Sequence, residues 1–268
     1  MSYLNHNFVT NRVGGDGTGS KAGQGIYDES ATAKFAIGEK LEFADGRCFR
    51  YGYTAAAVNA SELVSQDISV SSLIETDNNV IAAANGFSPS AGSLKLQITL
   101  AGKAANQYSG ALLQIANDGA DGIGEGIQYR IKTNSATGAT TAGKVDIELF
   151  DPIKVTLTTA SDIAIVGGLW YNLRGALGGA ADATKDYIIS GVSPIAFTAN
   201  YYGWFQTAGI ALISCDTATA VGVNLTLSDS DVGHVQLKDA ETEPLVGYSL
   251  YAGDDDAHIG VLLQGLTA

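Results

Sequence analysis

"KVDIELF", residues 144–150, sets Lys144, Asp146 and Glu148 against Val145, Ile147 and Leu149 in strict alternation. A period of two lays the apolar side chains on one face of an extended strand and the polar ones on the other, whereas a helix would scatter both sets around its axis. The same pattern appears on either side of this stretch, in "LKLQITL" (94–100), "IQYRIK" (127–132), "IKVTLTT" (153–159), "VNLTL" (223–227) and "HVQL" (234–237). Turn-forming clusters separate these runs: "NDGADGIGEG" (117–126), "NSATGATTAG" (134–143) and "GGAADATKD" (178–186). We therefore expect a mainly β protein of antiparallel β-sandwich or barrel modules with an extended N-terminal arm. Two tracts, "SATAKFAIGEK" and "TAAAVNASELVSQ", have room for one or two helical turns. No fixed repeat period is visible, which argues against a solenoid or propeller.

The chain has 268 residues, enough for one large β domain or two smaller ones. Residues 1–25 are glycine-rich and hold few large apolar side chains, too little to offset the entropy of ordering a backbone. They read as a flexible arm, either a loose terminus or a segment that orders on a partner. The regular strand spacing then divides the rest into residues 26–166 and 167–268, each β-rich, with the boundary at "GGLWYN". A net charge of −13 repels phosphate backbones, so nucleic acid is not an expected partner. No run approaches the roughly 18 apolar residues of a membrane helix, and "MSYLNHNFVTNRVGG" lacks the basic and apolar regions of a secretory signal. A soluble protein made in a cytoplasm, away from membranes, is the expectation.

Candidate chemistry is sparse. Cys48 and Cys215 stand alone and read as free thiols. The three histidines, His6, His234 and His258, form no catalytic grouping in the sequence, no "GxSxG" occurs, and no enzyme activity or cofactor is expected. Asn117, Asp118, Asp121 and Glu125 could surround calcium, but they miss the ligand alternation of an EF-hand, and Asp-Gly pairs are strong hairpin signals. Asp254, Asp255 and Asp256 in "GDDDAHIG" (253–260) read as a solvated loop, because adjacent carboxylates point apart. No metal site is expected from either stretch. Asp146 and Glu148 share a strand face, as a glycan hydrolase pair would, yet their alternation with buried neighbours reads as the solvent side of a sheet. In "ANYYGWFQTAG" (199–209), Trp204 reads as core, while Tyr201, Tyr202 and Phe205 form a candidate aromatic surface for an interface or for stacking on sugars.

Several blocks resemble virion proteins of tailed double-stranded DNA phages, of the capsid decoration or cement type. They are "IYDESATAKFAIGEKLEFADGRCFRYGY" (26–53), "YSGALLQIANDGADGIGEGIQYRIKTNSA" (108–136), "VDIELFDPIKVTLTTASDIAIV" (145–166), "YYGWFQTAGIALI" (201–213) and "DDDAHIGVLLQGL" (254–266). The resemblance implies a non-enzymatic protein on the outer surface of the capsid. Its partners would be the major capsid protein and sister subunits, a trimer by preference, and it would brace the head against internal genome pressure. On that reading Tyr27, Phe35, Phe43, Phe49 and Tyr51 supply interface anchors, with Arg47 and Arg50 giving polar register at the rim. The same aromatics serve equally as the base of the first β module, with "ADGRCF" as a hairpin turn. A tail-fibre or adhesin module binding host surface glycans is the alternative role.

Overall fold

The computed structural model describes residues 20–21, 23–66, 74–79, 87, 89–116, 124–159, 161–176, 188–264 and 266. Every regular element among them is a β-strand, and every strand pair is antiparallel. The division at residue 167 gives way to a different one: residues 68–168 form one compact unit, inserted into a second made of residues 1–67 and 169–268. Residues 26–67 therefore belong with the C-terminal part of the chain and not with the segment that follows them.

The strands run in order as β1 (Ser20–Lys21), β2 (Gln24–Gly25), β3 (Lys40–Glu42), β4 (Cys48–Tyr53) and β5 (Leu63–Gln66) before the insertion. The inserted unit holds β6 (Ile74–Asn79), β7 (Lys95–Thr99), β8 (Leu112–Ile115), β9 (Gln128–Asn134), β10 (Lys144–Leu149) and β11 (Asp162–Val166). The outer unit resumes with β12 (Leu173–Gly175), β13 (Ile189–Val192), β14 (Tyr202–Ser214), β15 (Asn224–Leu227), β16 (Val235–Leu237), β17 (Gly247–Ser249) and β18 (His258–Leu263).

In the inserted unit the sheet order is β6-β11-β8-β9-β10-β7, and the two end strands approach each other, so the sheet curls around one core. Val145, Ile147 and Leu149 point into it beside Leu96, Ile98, Tyr129, Ile131 and Ile163, as the alternation requires. "IKVTLTT" is not a strand. Ile153 and Leu157 do enter the core, but their amides bond singly to the carbonyls of Ser93 and Pro89 instead of forming a ladder. Alternation reports which side chains are buried and leaves open where the backbone bonds go. Neither helical tract forms a helix, and the second ends in β5.

The outer unit is a sandwich whose two layers share β14. From Tyr202 to Ala208 this strand pairs with β4, and from Gly209 to Ser214 with β18. A bulge lies between Gln206 and Ala208, and Gly209 follows at φ +83°. A Cβ on Gly209 would also lie about 3 Å from the Arg47 backbone, so this corner demands glycine on both counts. Leu63, Ile189 and Val192 of one layer pack against Ala211, Ile213, Leu225, Val235, Ile259 and Val261 of the other.

Candidate interaction surface

The first half of β14 is buried on both faces. Trp204 points into a cluster with Ile26, Leu41, Phe49 and Tyr51, whereas Phe205 points the other way, onto Val58, Val64, Leu173 and Phe197. The chain from residue 24 to residue 43 covers the Trp204 side, and Gln24 fastens it there. The Gln24 side chain donates to the carbonyls of Asp28 and Tyr202 and accepts from the Tyr51 hydroxyl at 2.7 Å, while its own carbonyl accepts from the Trp204 indole. Gln24 and Gly25 therefore belong to the folded body and not to the arm. Further along, Ser30 exchanges backbone bonds with Tyr202, and Glu29 accepts from the amide and hydroxyl of Thr198.

These contacts sort the expected interface residues. Phe49, Tyr51 and Phe205 lie inside the chain's own core, so they are not available as surface anchors. "ADGRCF" is the turn of the β3–β4 hairpin, with Gly46 at φ +87°. Phe35 is half-buried, 5.2 Å from both Tyr51 and Trp204. Phe43 is half-buried under the Arg47 guanidinium, which Asp45 holds at 2.8 Å. Arg50 bonds the Gly38 carbonyl and stacks on Trp170, and Tyr27 is exposed. Tyr201 and Tyr202 are half-buried, and Tyr202 joins Tyr53 and Tyr171 in a tyrosine cluster with ring centroids 4.8 and 5.0 Å apart. Burial pushes all three phenols up, Tyr171 to about 12.

The other sequence candidates are placed as follows. Asp146 accepts from Gln97 and Thr140, and Glu148 pairs with Lys132 at 2.8 Å. The hydrogen bond from Lys132 holds the Glu148 carboxyl below its usual range, the reverse of what a general acid needs. Glu125 is exposed, while Asn117, Asp118 and Asp121 lie outside the described residues. Cys48 and Cys215 are free thiols.

The outward face of the β14–β18–β17 layer is a feature that the sequence analysis did not anticipate. Ile210 and Leu212 are 57% and 51% exposed, Leu262 sits directly opposite Ile210, and the half-exposed Tyr251 ring lies over Gly260, opposite Leu212. Tyr248 continues the row as the cross-strand partner of Leu262. Their alternation with buried Ala211, Ile213, Ile259 and Val261 was visible, but an apolar residue on both faces looks like deep core in sequence.

No family model, curated protein or solved structure matches this chain.

Proposed function

We propose that this is a non-enzymatic virion protein of a tailed phage, a decoration or cement protein that binds the outer surface of the capsid and braces it against genome pressure. The observation that carries the reading is the exposed apolar row Ile210, Leu212, Leu262 and Tyr251 on a sheet face of a strongly acidic chain. Apolar side chains on a rigid, hydrogen-bonded surface suit a protein partner, since contiguous exposed patches of this kind mark interaction sites. The partner is the major capsid protein, and the charge of −13 favours the outer face of the shell over the DNA-filled interior. A symmetric oligomer, a trimer by preference, would engage several capsid subunits at once and add avidity. The expected arm, of which residues 1–19 lie outside the described residues, would extend the contact.

The test is co-sedimentation with purified heads that lack the protein. Full-length chain should bind saturably and raise the heat resistance of the heads. Leu212→Glu should weaken binding at least tenfold with tryptophan emission unchanged, and deletion of residues 1–19 should weaken it further. Undiminished binding by Leu212→Glu removes this face from the contact, and no binding to heads overturns the decoration reading. The cluster of Tyr53, Tyr171 and Tyr202 favours a second reading, an adhesin stacking host glycans. Binding to host cells in place of heads would promote it.

A further inference from the structure

Three separate segments of the outer unit meet beyond the end of β14. The Cys215 amide bonds the Ala257 carbonyl and the Asp216 amide bonds the Val235 carbonyl, both at 2.8 Å. Across the β15–β16 hairpin the Ser228 amide bonds the His234 carbonyl, and the His234 amide returns to Asp231. The turn before β18 is closed by the Ala257 amide on Asp254. Backbone bonds thus hold residues 215–216, 228–235 and 254–257 together before any side chain is considered.

At this junction one carboxylate oxygen each of Asp231 and Asp256 and one ring nitrogen of His234 all lie within 4.8 Å of one another. A third carboxylate stands behind them. Asp216 is buried, accepts hydrogen bonds from Ser228 and Ser230, and meets the Asp231 carboxyl.

The imidazole supplies an independent observation. His234 Nδ1 is shut off from solvent and has no hydrogen-bond partner. A buried ring nitrogen left unpaired is costly, and a neutral imidazole nitrogen is a common metal ligand. One imidazole carries at most a single positive charge, against the carboxyl groups of Asp231 and Asp256 beside it and of Asp216 behind Asp231. A divalent cation held by the ring nitrogen that faces Asp231 and Asp256 would offset that charge.

We propose that Asp231, His234 and Asp256 form a binding site for a divalent transition-metal ion, zinc or manganese, that ties the β15–β16 hairpin to the turn before β18. Mixed imidazole and carboxylate ligands suit these ions better than calcium or magnesium, which prefer oxygen alone. Three protein ligands leave the remaining positions to water, and Asp216 orients Asp231 from behind. This site does not rest on the capsid reading.

The experiment titrates Zn2+, Mn2+ and Ca2+ separately into full-length protein stripped with EDTA, followed by calorimetry and thermal melting. Zinc or manganese should bind at one ion per chain and raise the melting temperature, and EDTA should reverse the rise. His234→Gln and Asp256→Asn should each weaken binding at least tenfold. A second measurement is independent of any variant: on adding Zn2+ to the wild-type chain, the His234 ring protons should shift in the NMR spectrum while those of His6 stay in place. Failure of zinc and manganese to bind below millimolar concentration, binding undiminished in both variants, a silent His234 ring, or a response to calcium alone would each overturn the proposal.

Discussion

Tyr171 shows most plainly how burial acts on single residues. Its phenol is pushed up to about 12 by burial, with the neighbouring Tyr53 and Tyr202 adding, and Tyr51, Tyr53 and Tyr202 are raised for the same leading reason. Their folded values stand above the unfolded value of 10.0, so the unfolded chain loses these protons first. The stability they contribute is whole below pH 10 and is lost as pH rises through the folded values, up to about 12 for Tyr171. The urea midpoint should hold steady up to about pH 9 and fall steeply above about pH 10, alongside late phenolate absorbance. Tyr171→Phe should flatten that fall, and an unchanged slope would deny Tyr171 the role. The sequence marked Phe49, Tyr51 and Tyr202 as important but not where they point, and Tyr53 and Tyr171 did not stand out in it. Phe49 and Tyr51 look the same as exposed anchors until Trp204 and Gln24, far along the chain in opposite directions, are seen to close over them.

Strands differed in how openly the sequence declared them. β9 and β10 bury one face each, so alternation alone located them to within about two residues. The first half of β14 is buried on both faces and carries no period, and its partner β4 lies some 150 residues earlier with no local trace of the pairing. The metal candidates were hidden for a related reason, because Asp231, His234 and Asp256 converge only after two turns have closed. In the second layer, β17 lies between β15 and β18, and a Cβ at Gly247 would come within 2.3 Å of the Leu262 carbonyl oxygen. Gly247→Ala should therefore destabilise the outer unit by about 3 kcal/mol, read as a lower urea midpoint in tryptophan emission. A loss under about 0.5 kcal/mol would mean that β17 shifts freely against its neighbour.

At the scale of the molecule, the inserted unit enters and leaves the outer one between strands that are already partners. Gln66 pairs with Leu173 across β5 and β12, and Ile74 pairs with Val166 across β6 and β11. Each unit also has a core of its own. Replacing residues 68–168 with a short glycine-serine linker should leave the outer unit folded, and residues 68–168 alone should unfold cooperatively. Both tryptophans, buried Trp204 and half-buried Trp170, belong to the outer unit, so their emission reports on it. Red-shifted emission after excision would show that the outer unit depends on the insertion. The paired exits also bear on the order of assembly during synthesis. Once the inserted unit has folded, the loop that β5 and β12 must close shrinks from roughly a hundred residues to about a dozen, a saving of about 2 kcal/mol in closure entropy. A chain leaving the ribosome can complete its middle first, while Phe49 and Tyr51 stay uncovered until Trp204 is made, which is when nascent chains need a chaperone most.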